Sequence, residues 1–114
     1  MKMKMKSING QELKKQLEAG RNFVVVETLP EEYYRSGHIP GASHLPLENL
    51  DRWAASVISD RHTAVVVYCA SEACENSQIA AKRLTELGYE DVSVYPGGKA
   101  DWKELGYPLE NAVQ

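Results

Sequence analysis

Cysteine, phenylalanine and long apolar runs are scarce in this chain of 114 residues. It has two cysteines and one phenylalanine, and no hydrophobic stretch near the roughly 20 residues that a membrane span needs. Two cysteines cannot build a disulfide framework. With no export signal beside them, they are expected as thiols in a reducing compartment, the cytoplasm. Nor do they complete a four-ligand zinc site, because His38, His44 and His62 are scattered without ligand spacing. No metal and no cofactor is therefore expected. Basic charge is short as well: the net charge is -3 and no basic cluster follows residue 6, which argues against a nucleic-acid partner. The opening Met1-Lys2-Met3-Lys4-Met5-Lys6 is charged but has no apolar segment behind it, so it does not read as a signal peptide. Residues 1–6 are expected as a flexible tail or as the lead into an edge strand, and residues 110–114 as a frayed end.

What is present is an ordinary globular balance, 43% hydrophobic and 25% charged, in a length that suits one domain over residues 1–114. A chain of this size buries about two-thirds of its unfolded surface and needs no covalent staple. Two continuous β-branched runs, Phe23 to Glu27 and Ala64 to Tyr68, read as strands buried on both faces, the mark of a parallel sheet. Helical segments alternate with them. Asn9 is a good N-cap with Glu12 three residues on, Leu13 and Leu17 form a buried stripe, and Gly20 closes that helix. Pro30 at the first helical position opens a short helix through Arg35. Leu47 to Asp60 has helical period, with Trp53 on its core side; Asn76 or Ser77 caps a helix ending at Leu87, with Ile79, Ala80, Leu84 and Leu87 on one face. Short strands at Ala42–Leu45 and Val92–Tyr95 and a helix over Ala100–Leu105 complete an α/β pattern: a parallel sheet with helices on both faces.

The stretch from Val65 to Ser77 carries the chemistry. An apolar strand ends at Cys69, a loop of small and acidic residues follows (Ala70, Ser71, Glu72, Ala73, Cys74, Glu75), and a helix begins near Asn76 and Ser77. Ligand sites in parallel sheets lie at the carboxyl ends of strands. A thiol there is positioned as a nucleophile if its thiolate is supported by a helix N-terminus and by loop amides, and this loop, free of proline, keeps every amide N–H. The plain alternative for Cys69 is a buried small hydrophobe. Cys74, five residues on, is either a small apolar residue against the helix or a resolving thiol for Cys69.

Three stretches in order resemble the single-domain rhodanese-like sulfurtransferases over nearly the whole chain. Glu31-Glu32-Tyr33-Tyr34-Arg35-Ser36-Gly37-His38-Ile39-Pro40-Gly41-Ala42 is similar to the N-terminal signature of that family. Val67-Tyr68-Cys69 with its loop is similar to the catalytic strand. Gly97-Gly98-Lys99-Ala100-Asp101-Trp102 followed by Gly106-Tyr107-Pro108 is similar to the C-terminal signature. The resemblance implies a five-stranded parallel sheet and a reaction in which Cys69 takes a sulfane sulfur from a donor, becomes a persulfide, and passes the outer sulfur to a thiol acceptor. It also implies that His38 belongs to a structural loop. Two features depart from the family. Residues 70–77 hold no basic side chain, and Glu72 and Glu75 there oppose a thiosulfate dianion, each by roughly 3–4 kcal/mol at an effective dielectric of about 20 before solvent screening. The acidic residue after the second strand is Glu27 instead of Asp, and Leu29 stands where an arginine is usual, so a stabilising contact is expected to be lost. Weak thiosulfate turnover and a neutral, cationic or protein-bound donor follow. Tyrosine-phosphatase-like chemistry is disfavoured, since the arginine it needs six residues after the cysteine is Glu75. The other class left open is a catalytically weak or inactive binding or regulatory module.

Overall fold

The computed structural model describes residues 6–20 and 22–111. Five strands and five helices alternate: β1 (Lys6–Ser7), α1 (Gly10–Glu18), β2 (Phe23–Glu27), α2 (Glu31–Ser36), β3 (Ser43–His44), α3 (Leu50–Val57), β4 (Ala64–Tyr68), α4 (Asn76–Glu86), β5 (Val92–Tyr95) and α5 (Gly98–Glu104). The sheet is parallel throughout, in the order β1-β5-β4-β2-β3. β4 is therefore the middle strand, with β2 on one side and β5 on the other.

The continuous apolar runs do what their composition dictates. Val65 and Val67 of β4 face one layer with Leu50, Ala54, Ala80, Ala81 and Leu84. Val66 and Tyr68 face the other with Leu13, Ile39, Tyr95 and Trp102. β4 thus buries both of its faces, α3 and α4 covering one side and α1 and α5 the other. No described helix is long and apolar enough to cross a membrane.

Local signals held where the chain decides locally. Asn9 caps α1, its side chain accepting from the Glu12 amide at 2.8 Å, and Gly20 turns the chain at φ 71°. Several boundaries differ from the sequence expectation, for identifiable reasons. Pro30 is the N-cap of α2, its extended ψ of 159° lying outside the helix. The Leu47–Asp60 segment is not one helix: Leu47–Asn49 forms a 3₁₀ turn behind Pro46, and α3 stops at Val57. It stops because Ile58, φ -125°, turns extended and gives its carbonyl to the Tyr89 hydroxyl at 2.7 Å. Trp53 is 39% exposed and Ile79 50% exposed, so neither is a core residue; the buried face of α4 is Ser77, Ala80, Ala81 and Leu84. α4 starts at Asn76, with Glu75 in the cap position and no side-chain cap, so neither Asn76 nor Ser77 acts as its cap. α5 begins earlier than expected, at Gly98.

The ends also differ. Lys6–Ser7 pairs with β5, which makes it an edge strand; Met1 to Met5 lie outside the described residues. Glu110, expected in a frayed end, bridges to His38 through two backbone hydrogen bonds of 2.9 Å, while residues 112–114 lie outside the described residues.

Candidate active site

Cys69 leaves the carboxyl end of the middle strand and is buried, 1% exposed. Its position is fixed from below by the sheet and from the side by α5. The Lys99 amide donates to the Cys69 carbonyl at 3.0 Å and the Ala100 amide to the Ala70 carbonyl at 2.9 Å. This close approach needs Gly98. Its φ is 63°, and a Cβ there would stand 2.9 Å from Ala70 C and from Ser71 N, closer than such atoms pack.

Beyond Ala70 the loop turns back on itself. The Cys74 amide donates to the Ser71 carbonyl at 3.0 Å, and the Cys69 sulfur lies 3.4 Å from the Cys74 carbonyl oxygen. The turn brings the two cysteines together, their Cα atoms 6.4 Å apart and their sulfurs joined as a disulfide. Both were expected as free thiols; the structure instead pairs them with each other. Cys74 is only partly buried, and Glu72, Ala73 and Glu75 are exposed. Asn76 and Ser77 enter the first turn of α4, Asn76 at the edge of a groove of about 250 Å³ with Thr28, Pro30, Pro46, Leu47 and Glu48, and Ser77 in the interior. The eight loop residues therefore form one continuous rim from Cys69 to the helix, but with two kinds of surface: an acidic, solvent-exposed crest and a buried floor.

A buried polar cluster beneath this loop escaped the sequence reading. Glu27, 0% exposed, accepts from the Tyr68 hydroxyl at 2.7 Å and from the Lys99 ammonium at 3.1 Å. Lys99 also donates to the carbonyls of Tyr33 and Gly37, both at 2.8 Å, and Tyr68 accepts from the Ile39 amide at 3.0 Å. Burial, reinforced by Glu27, pushes the Tyr68 hydroxyl pKa far above its ordinary value of 10.0, so the group stays a donor. The contact expected to be lost with Leu29 is thus replaced: Leu29 is buried, and the carboxylate is answered by Lys99 from the opposite flank of the site. The only signal for this in the sequence was a lysine inside the Gly97-Gly98-Lys99 turn.

His38 and His44 are occupied structurally. The Nδ1–H of His38 donates to Tyr34 O at 2.9 Å and the Nε2–H of His44 to Leu29 O at 2.6 Å, with the Tyr34 ring stacked on both imidazoles. Neither contact is to the cysteine loop.

A cysteine at the exit of the middle strand of a doubly covered parallel sheet, with its loop running into a helix, defines the class: a parallel α/β protein with a cysteine-bearing loop at the carboxyl end of its sheet. The family model of the rhodanese-like domain matches residues 9–105, and the chain belongs to that family. It is 33% identical over 89 residues to the thiosulfate sulfurtransferase GlpE of Shewanella oneidensis, covering 78% of this chain and 84% of that protein. It is 32% identical over 107 residues to the HTH-type transcriptional regulator Rv0324 of Mycobacterium tuberculosis, covering 94% of this chain but only 46% of that protein, so the chain spans about half the length of this relative. Among solved structures, the Alr3790 protein from Anabaena superposes with a TM-score of 0.83 at 33% identity, over 94% of each chain.

Proposed function

We propose that this protein is a sulfurtransferase that works through a persulfide on Cys69. In its reduced form the Cys69 thiolate attacks the outer, sulfane sulfur of a donor. The new Sγ–S bond forms as the donor's bond to that sulfur breaks and the donor residue leaves with the electron pair. An acceptor thiolate then attacks the outer sulfur of the persulfide, and Cys69 departs as thiolate. One difficult transfer becomes two easier ones. The observation that carries this reading is the place of Cys69: the carboxyl end of the middle strand, opening a loop that α5 clamps and that ends on the N-terminus of α4. Thiolate and persulfide are both anions, the kind of group that a helix N-terminus and free loop amides stabilise.

The partners are a sulfur donor, small or protein-bound, and a thiol acceptor. The exposed Glu72 and Glu75 favour a donor less anionic than thiosulfate. Free thiols at Cys69 require a reducing compartment, and we place the protein in the cytoplasm on that ground. We also infer that residues 1–114 work as one domain, since all five helices serve one sheet.

The test supplies the reduced protein with thiosulfate, or with an organic persulfide, then with cyanide, and measures thiocyanate. Wild type is expected to form it, and the chain with Cys74→Ser is expected to gain one sulfur on Cys69 by intact mass; Cys69→Ala is expected to do neither. Equal behaviour of wild type and Cys69→Ala with both donors rules the reading out. The match to half of a transcriptional regulator favours one alternative, a sensing module without turnover. That alternative predicts sulfur loading of Cys69 with no thiocyanate beyond the first equivalent.

A further inference from the structure

Sulfur transfer as described uses one cysteine, yet the loop carries two and the structure joins them. We propose that Cys74 is a resolving nucleophile, and that the loop can discharge its persulfide as hydrogen sulfide instead of passing the sulfur on. The proposal rests on the Cys69 persulfide of the previous section.

The geometry selects which sulfur Cys74 attacks. The Cα atoms of Cys69 and Cys74 are 6.4 Å apart, inside the range of about 4.4–6.8 Å that a disulfide spans. The Ser71–Cys74 turn holds them there by a backbone hydrogen bond of 3.0 Å. Cys74 is therefore seated to reach the inner sulfur, the Sγ of Cys69 itself. In the step, the Cys74 thiolate attacks that Sγ, the Cys74–Cys69 disulfide forms, and the bond from Cys69 to its outer sulfur breaks. The outer sulfur leaves as hydrosulfide with the electron pair. The two cysteines are oxidised and the sulfane sulfur is reduced to sulfide, so atoms and electrons balance with no added oxidant. Because both thiols lie in one short loop, the attack is intramolecular and competes with any external acceptor at high effective concentration.

The burial pattern then sets the direction of reset. Cys69 is 1% exposed whereas Cys74 is partly open to solvent. An external thiol or dithiol reductant meets the Cys74 sulfur first, forms the mixed disulfide there, and expels Cys69 as thiolate. A second reductant thiol frees Cys74. Reduction thus returns the nucleophile in its reactive form, and continuous sulfide release requires continuous reductant.

The test uses the full chain, fully reduced, freed of reductant under anaerobic conditions and given one equivalent of cysteine persulfide. Released sulfide and non-reduced intact mass are followed together. Wild type is expected to release one equivalent of sulfide and to end lighter than the reduced chain by two hydrogens. Cys74→Ser is expected to hold one extra sulfur and to release no sulfide above a protein-free control. Cys74→Ala is expected to repeat the serine result, and the persulfide held by either variant shows that its loop is still folded for loading. If wild type keeps its extra sulfur as long as Cys74→Ser does, the resolving role is overturned while the persulfide stands. If no variant that retains Cys69 gains sulfur and no sulfide appears, the persulfide itself fails, and the resolving role with it.

Discussion

Lys99 and Glu27 decide how firmly the floor of the site is held. Glu27 is fully buried and the Lys99 side chain is 12% exposed, so the pair is a desolvated ion pair with its spare valences filled by Tyr68, Tyr33 and Gly37. Removing one partner of such a pair leaves an uncompensated buried charge and costs about 3–5 kcal/mol. Lys99→Met is expected to lose that much in urea unfolding, and the double variant Glu27→Gln, Lys99→Met to recover part of it. A double variant no more stable than Lys99→Met would show that the lysine acts by packing alone. The pair also shows where sequence reading stops. Glu27 and Leu29 were visible as departures from the family pattern, and a lost contact was the natural conclusion. The replacement lies 72 positions away in the chain. It comes within reach only because β4 sits between β2 and β5, and that strand order is not written in any local pattern.

At the level of elements, legibility followed the range of the forces involved. β2 and β4 were plain, because continuous β-branched runs buried in a sheet have few other solutions. α1 was plain too, since its Asn9 cap and Gly20 stop are local chemistry. The ends of α3 and α4 were not, because they are set by partners in other elements: the Tyr89 hydroxyl takes the Ile58 carbonyl, and the Cys74 turn delivers the chain to Asn76. The same holds for α5, whose first residues serve the cysteine loop. Gly98 must adopt φ 63° against the backbone of Cys69 to Ser71. An alanine there pays about 1–2 kcal/mol for the left-handed conformation, and its methyl also pushes the loop away. Gly98→Ala is expected to lower sulfur loading of Cys69 by more than its loss of stability explains. Loading is read by intact mass in the Cys74→Ser background, at a temperature where circular dichroism shows the variant folded. A variant that is destabilised but loads at the wild-type rate would assign Gly98 to folding only.

For the molecule as a whole, charge governs which donor reaches the site. The net charge is -3, and the crest over Cys69 adds to it locally through Glu72 and Glu75, with no basic residue in the loop to answer them. Next to the crest, Glu72 shares a groove of about 290 Å³ with Asp101 and Glu104. Both loop carboxylates are exposed. Water therefore screens them, and the 3–4 kcal/mol reckoned at an effective dielectric of about 20 falls to roughly 1 kcal/mol for each pair of unit charges at about 4–5 Å. That is about fivefold in rate per charge. Glu72→Gln and Glu75→Gln are each expected to raise kcat/KM for thiosulfate, a dianion, by at least about that factor at low salt, and the pair of substitutions to combine nearly multiplicatively. The gain should shrink as ionic strength rises and the Debye length contracts to about 8 Å at 0.15 M. An uncharged organic trisulfide, tested in parallel, should show no such gain. A rate increase shared by both donors, or one indifferent to salt, would mean that the glutamates act on the loop's conformation and that the donor is not selected by its charge.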